Sequence, residues 1–125
     1  MELQFFKEDE FKKCVPSCSM VQCDQTALER LDRLRVLCGF PIKLNSAYRS
    51  SEFDKSKGRS GNSAHCKGLA FDVACRNSEQ RSYIIATALK VGFLRIGVAS
   101  RFIHLDCDYT KPYPNPWVWF SIITI

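Results

Sequence analysis

Residues 63–72 of the chain read SAHCKGLAFD, and this segment is the starting point for predicting the fold. It contains His65 and, seven residues later, Asp72, with Gly68 between them. The apolar run over residues 69–74 predicts a short strand that carries Asp72 within it. Because glycine lets the backbone bend sharply, we expect the side chains of His65 and Asp72 to converge on one point.

A second polar set lies in residues 102–108, which read FIHLDCD. Side chains of a strand alternate between its two faces, so His104, Asp106 and Asp108 should share one face. The residues between them are apolar and predict the core side of the strand. An imidazole and two carboxylates in the middle of an apolar strand indicate a functional site. The chain has two histidines, His65 and His104, and each lies near a carboxylate in the sequence.

The remaining pattern predicts an α+β fold in one domain over residues 1–125, with a central, largely antiparallel sheet flanked by helices. Helices are expected over 5–13, 24–38 and 78–91, and strands over 42–48, 69–74, 93–99 and 102–107. A last strand or packed extension should cover 117–125, and residues 49–62 are expected to form a long polar loop. For helix 24–38, Asp24 is the predicted N-cap and Gly39 the stop.

Charge and hydropathy exclude several classes of protein. The net charge is +5, but the lysines and arginines are scattered and form no basic block with interleaved aromatics, so we expect no nucleic-acid binding. No apolar run is long enough to span a membrane. The first ten residues lack the apolar core of a signal peptide, which predicts a protein that is cytoplasmic at synthesis. We also expect a monomer.

Seven cysteines are many for 125 residues, but their number is odd, which favours free thiols in a reducing compartment. Cys14, Cys18 and Cys23 cluster with the spacing C-x3-C-x4-C. A small metal knuckle is conceivable there, although a C-x2-C pair and a nearby fourth ligand are missing. The alternative is that these cysteines are small buried apolar groups.

The spacing of the histidines and carboxylates leaves two interpretations open. Two imidazoles and one carboxylate are a known catalytic zinc set with an open fourth position. A buried histidine beside an aspartate can also be a hydrogen-bonded pair with no metal.

Three motifs together resemble one family. Residues 63–72 match S-x-H-x-x-G-x-A-x-D at every specified position, residues 46–50 (SAYRS) resemble a strand ending in a Y-R-S turn, and residues 102–106 (FIHLD) resemble a final ligand strand. The motifs occur in family order and span about half the chain. They resemble the zinc D-Ala-D-Ala carboxypeptidase family, which includes D-Ala-D-Ala dipeptidases and phage endolysins. The implied fold is shared with the hedgehog signalling domain, so fold alone does not establish catalysis.

The resemblance implies site residues by position. His65, Asp72 and His104 correspond to the ligands of Zn²⁺, and Arg49 to the arginine that binds the terminal carboxylate of the substrate. The planar donors of arginine suit a carboxylate better than lysine does, although Arg49 could also be a surface turn residue. Ser63 corresponds to a serine that anchors substrate, or it closes the loop turn through its hydroxyl.

The sequence departs from the family pattern at one position. Many members carry the general base as a glutamate three residues before the last ligand, and here that position is Arg101. A base is still needed to move a proton to the leaving amine. Asp106 is the predicted substitute, with the alternative that its carboxylate orients a ligand histidine.

We therefore expect a zinc metallopeptidase that hydrolyses D-amino-acid-containing peptides of bacterial peptidoglycan. Its substrate would be a wall peptide or the D-Ala-D-Ala dipeptide, cut as a carboxypeptidase or as a phage endolysin. A protein without an export signal would reach the cell wall on release by phage lysis, or would act in the cytoplasm. The alternatives are a zinc-binding module without hydrolysis and a structural domain without metal.

Overall fold

The structure is a computed structural model that describes residues 3–111 and 116–120. In these residues four α-helices and two short 3-10 helices accompany one five-stranded sheet. The α-helices are α1 (Glu8–Lys12), α2 (Gln25–Cys38), α3 (Ser51–Ser56) and α4 (Ser78–Val91), and the 3-10 helices are Met20–Gln22 and Ala64–Lys67. The strands are β1 (Leu44–Ser46), β2 (Ala70–Ala74), β3 (Arg95–Val98), β4 (Phe102–Asp106) and β5 (Trp117–Phe120).

The strands are ordered β1-β2-β4-β3-β5 across the sheet. Three of the four pairings are antiparallel, and β5 joins β3 in parallel. The α+β class and the largely antiparallel sheet are therefore confirmed. The predicted last element is strand β5, and residues 121–125 of that prediction lie outside the described residues.

One row of residues crosses all five strands. Ser46 pairs with Asp72, Asp72 with His104, His104 with Gly97, and Gly97 with Trp119. Residues directly opposite one another in neighbouring strands point to the same face of a sheet. The register therefore places Asp72 and His104 next to each other, with Trp119 two strands further along.

The opposite face of the sheet forms the core with the helices. Residues that alternate with the polar row along β2, β3 and β4 are fully shielded from solvent, as are Leu31 and Leu34 of α2. The sheet contributes Phe71, Val73, Ile96, Ile103 and Leu105 to this core. The alternation predicted for residues 102–108 is thus present within β4.

The two long helices begin and end where local chemistry predicts. The Asp24 carboxylate accepts a hydrogen bond from the backbone N–H of Ala27 at 2.9 Å, and Gly39 ends α2 with a φ of 76°. The Asn77 side chain caps α4 in the same way. Side-chain oxygens at these positions satisfy backbone donors that the first helical turn leaves unpaired.

The prediction of a polar loop over residues 49–62 is wrong for Ser51–Ser56, which form helix α3. The Ser50 hydroxyl accepts from the backbone N–H of Phe53 at 3.1 Å, and Glu52 and Asp54 follow in the first turn. A serine cap followed by acidic residues is a helix start signal. Helix α3 is short and has no apolar periodicity, so hydrophobic patterning gave no indication of it.

The clustered cysteines lie in the hydrophobic core. Cys14, Cys18 and Cys23 are all buried, and the seven cysteines of the chain are free thiols. The Cys14 thiol donates to the carbonyl of Glu10, and the Cys18 thiol donates to that of Phe11. They match the prediction of small buried apolar groups.

None of the described helices has both the length and the apolar character that crossing a bilayer requires.

Candidate metal centre

His65 is held in a single orientation by the backbone. It lies in the 3-10 helix Ala64–Lys67, which Gly68 ends with a φ of 71°. A Cβ at Gly68 would lie 2.6 Å from the carbonyl oxygen of Gln22, so only glycine fits this bend. The His65 ring places Nδ1 2.6 Å from the carbonyl oxygen of Ala47. Nδ1 therefore donates its proton there, and the ring is turned so that Nε2 faces the carboxylate of Asp72.

The Nε2 atom of His65 is buried and has no hydrogen-bond partner in the described part of the chain. It lies 3.3 Å from Oδ1 of Asp72. The same carboxylate oxygen lies 3.1 Å from Nδ1 of His104. Two nitrogens thus meet one oxygen in a pocket that is largely shielded from water.

These three side chains could hold a metal ion. Their ligand atoms all lie within 4.8 Å of one another, and within residues 3–111 and 116–120 no other trio of histidine, cysteine or acidic side chains does so. Tetrahedral zinc with ligands at about 2.0–2.1 Å requires ligand atoms about 3.3 Å apart. The two nitrogen–oxygen distances in this cluster, 3.3 Å and 3.1 Å, are close to that value. The two imidazole nitrogens and the carboxylate oxygen of this cluster are ligand types that zinc binds in proteins.

Asp106 extends this cluster through His104. Its Oδ2 lies 2.7 Å from Nε2 of His104, and its Oδ1 accepts from Nε of Arg95 at 3.0 Å. Oδ1 also accepts from the backbone N–H of Asp108 at 3.0 Å. Both oxygens of this buried carboxylate therefore already have donors.

The carboxylates determine the proton affinities of the centre. Burial lowers the pKa of His104, but hydrogen bonds with Asp106 and Asp72 outweigh it and raise the pKa to about 9. Burial raises the pKa of Asp72, but His65 and His104 outweigh it and hold that pKa well below its usual range. The raised pKa of His104 favours the protonated ring. A metal ion at Nδ1 therefore has to displace a proton.

Arg49 lies behind the carboxylate of Asp72. Its Nη2 is 3.6 Å from Oδ2 of Asp72, and its Nη1 is 3.7 Å from Oδ1 of Asp54. The residue is only 5% exposed, so it is not a surface turn residue. Burial lowers the pKa of Arg49, while Asp72 and Asp54 act in the opposite direction.

The sequence analysis missed Asp54, which organises the loop beside the centre. This fully buried carboxylate accepts from the backbone N–H of Gly61 and from the hydroxyl of Ser63, both at 2.9 Å. Ser63 therefore lies at the cavity wall with its hydroxyl directed to Asp54. The acidic first turn of a capped helix is the sequence signal that could have identified this residue.

Trp119 covers the other side of the centre. Its ring centroid lies 5.6 Å from that of His104. A Cβ at Gly97 would lie 2.8–2.9 Å from the indole, so the absence of a side chain at Gly97 lets Trp119 approach. A single glycine inside a strand is the sequence signal for such a close approach.

The side chains of His65, Asp72, His104 and Trp119 line a cavity of about 320 Å³. Arg49, Ser63 and Asp106 are also in its wall. Asp108, predicted on the same strand face, lies beyond the end of β4, and its carboxylate accepts from Nζ of Lys67 at 2.9 Å.

Comparison with known protein families matches residues 4–106 to the family described as Peptidase M15. The chain belongs to the peptidase M15 family. The resemblance to zinc D-Ala-D-Ala carboxypeptidases is thereby confirmed. Searches of curated proteins and of solved structures give no match.

Membership in the M15 family supports a zinc metallopeptidase with a peptide substrate. The His65–Asp72–His104 cluster fits the zinc dependence of that family. Two of the three motifs that carried the resemblance supply these side chains, and the third supplies Arg49.

Replacing Asp54 tests its role in ordering the loop. Asp54→Asn removes a buried charge that balances Arg49 and accepts two hydrogen bonds, so the free energy of unfolding should fall by about 1–3 kcal/mol. Urea denaturation measures this loss. The control is Glu52→Gln on the exposed side of the same helix, with an expected change within about 0.5 kcal/mol. Equal losses in both variants would contradict a special role for Asp54.

Proposed function

We propose that this M15 protein is a zinc peptidase that hydrolyses D-amino-acid-containing peptides of peptidoglycan, with His65, Asp72 and His104 as the zinc ligands. The observation that carries the proposal is the buried Nε2 of His65. It has no hydrogen-bond partner in the described chain and faces a carboxylate that also contacts His104. Leaving such a nitrogen unsatisfied costs free energy, which a bound cation would recover.

The protein supplies the orientation of all three ligands. The carbonyl of Ala47 fixes His65 so that Nε2 is available, and Asp106 holds Nε2 of His104 so that Nδ1 faces Asp72. Zinc, when bound there, polarises a peptide carbonyl and activates water for attack on it. The hydrogen-bonded partners of the ligand histidines fix which ring nitrogen is free.

Arg49 and Ser63 are proposed to bind substrate. Arg49 borders the cavity, and its buried Nε has no hydrogen-bond partner among the residues that the structure describes. A guanidinium N–H without a hydrogen-bond partner at this cavity can donate to a substrate carboxylate. Ser63 lines the same cavity, and its hydroxyl oxygen can accept a further hydrogen bond while it donates to Asp54.

Asp106 is proposed to position His104 rather than to act as the base. Both of its oxygens accept from described donors, and the residue is only 2% exposed. The general-base role predicted from the sequence requires this buried carboxylate to take up a proton while both of its oxygens already accept hydrogen bonds. The two roles differ in what a neutral replacement does to zinc affinity.

Removing a zinc ligand should abolish the activity. His65→Ala, Asp72→Ala and His104→Ala should each lower zinc affinity sharply and eliminate hydrolysis of a D-Ala-D-Ala peptide, because three ligands leave no substitute. Metal analysis and a chelator competition measure the affinity. Cys66→Ser is the matched control next to His65 and should keep one zinc per chain. Stoichiometric zinc in a ligand variant would remove that residue from the site.

Arg49→Lys tests recognition of the substrate carboxylate. The variant keeps the charge but loses the planar pair of donors, so kcat/KM for a peptide with a free terminal carboxylate should fall by about one to two orders of magnitude. Amidation of the substrate should cost the wild type a similar factor and cost the variant little. An unchanged ratio of free to amidated rates would show that Arg49 does not bind this group.

Asp106→Asn distinguishes a positioning residue from a base. If Asp106 positions His104, zinc affinity should fall by about ten- to a hundredfold, and excess zinc should restore much of the rate. If it is the base, zinc content should stay normal while turnover falls by about two to four orders of magnitude. Normal zinc content together with full activity would contradict both roles.

A wild-type protein that binds zinc but cleaves no wall peptide would favour the binding-module alternative. Metal analysis and peptide hydrolysis on the same preparation make this comparison directly.

A further inference from the structure

A second, larger cavity of about 650 Å³ opens beside the metal centre. It shares Arg49, Arg59, Asp72 and Phe102 with the first cavity. The two cavities therefore adjoin at the buried Arg49–Asp72 pair.

The lining of the second cavity is strongly basic. Seven of its side chains are lysine or arginine, and the single acidic one is Asp72. Arg49 is paired with Asp72 and Asp54, and Lys13 with Asp9. The other five cations make no ion pair with any carboxylate in residues 3–111 and 116–120, and all are exposed. They are Lys43, Lys57, Arg59, Arg76 and Arg101.

Three of these cations are fixed at one end of the sheet. Lys43 precedes β1, Arg76 follows β2, and Arg101 precedes β4, and these three strands are neighbours. The backbone N–H of Ala74 donates to the carbonyl of Lys43, and that of Cys75 to the carbonyl of Arg101. The backbone positions of these cations are thus set by the pairing of the strands.

This arrangement has an energetic cost in the absence of a negative partner. Like charges brought together at a concave surface repel one another, and the low-dielectric walls focus their field into the cavity. The same field concentrates anionic ligands there. Arg101, which replaces the glutamate usual in the family, adds to this charge.

Resting on the peptidase function proposed above, we infer that the second cavity is a subsite for a negatively charged segment of the peptide substrate, with two or more free carboxylates beside the scissile bond. The volume lies in the range of pockets that enclose small ligands, and it suits a short peptide segment. Single-stranded nucleic acid would need aromatic platforms along a groove. Only Phe53 and Phe102 line the described cavity, and Nζ of Lys57 lies 5.5 Å from the Phe53 ring centroid.

Two matched peptides test the inference. Each has a central D-Ala-D-Ala flanked on both sides by two residues, which are glutamate in one peptide and glutamine in the other. Binding to the zinc-loaded protein is measured by fluorescence anisotropy at low salt, and cleavage of both peptides is followed in parallel. The glutamate peptide should bind about tenfold more tightly, and salt should reduce this preference because the cations are exposed.

The variant Lys43→Gln/Arg76→Gln/Arg101→Gln should reduce the preference to less than about threefold. The control variant Lys12→Gln/Arg33→Gln/Lys90→Gln removes the same charge at exposed positions outside both cavities and should keep the full preference. Equal losses in the two variants would overturn the inference in favour of a general charge effect. Equal binding of both peptides by the wild-type protein would also overturn the inference. This measurement needs no variant.

Two further measurements distinguish the subsite from a nucleic-acid surface and from the peptidase function on which it rests. A single-stranded oligonucleotide of equal charge that binds more tightly than the glutamate peptide would overturn the inference and indicate a nucleic-acid surface. Preference for the glutamate peptide that depends on the three cations, with no cleavage of either peptide or of a peptide that ends in D-Ala-D-Ala, would support the subsite and contradict the peptidase function. Cleavage of both peptides at equal rates and with equal affinity would support the peptidase function and contradict the subsite.

Discussion

The burial of Asp72 is the constraint on which the rest of the site depends. A carboxylate in the middle of a sheet is costly unless cations or hydrogen-bond donors surround it. Here Nδ1 of His104 lies 3.1 Å from it and the guanidinium of Arg49 lies 3.6 Å from it. Nε2 of His65 faces the same carboxylate at 3.3 Å. Strand pairing supplies His104, the 3-10 helix supplies His65, and the segment between β1 and α3 supplies Arg49.

The other buried carboxylates follow the same rule. Asp54 lies against Arg49, Asp106 against Arg95, and Asp108 against Lys67. Buried charges are tolerated when each has a partner and further hydrogen bonds. The cations that remain without such partners include those at the sheet end, which concentrates positive charge in the second cavity beside the centre.

Much of the site could be predicted from the sequence because its residues lie in short motifs. The spacing of His65, Gly68 and Asp72 encodes a bend followed by a strand, and alternation in β4 places His104 on the polar face. The spacing could not show which ring nitrogen of His104 faces Asp72, because the contact of Asp106 with Nε2 depends on the side-chain conformations of both residues. The ion pair between Arg95 and Asp106 depends on strand register, which sequence patterns do not fix.

The parallel pairing of β5 with β3 has a consequence for how specificity can change. The match to the M15 family ends at residue 106, yet the indole that covers His104 belongs to residue 119. The ligands therefore lie inside the matched segment, and the ring that covers His104 lies outside it. Substitutions in the wall can alter which substrates fit while the motif residues stay the same, and Gly97 links the two because any larger residue there would displace Trp119.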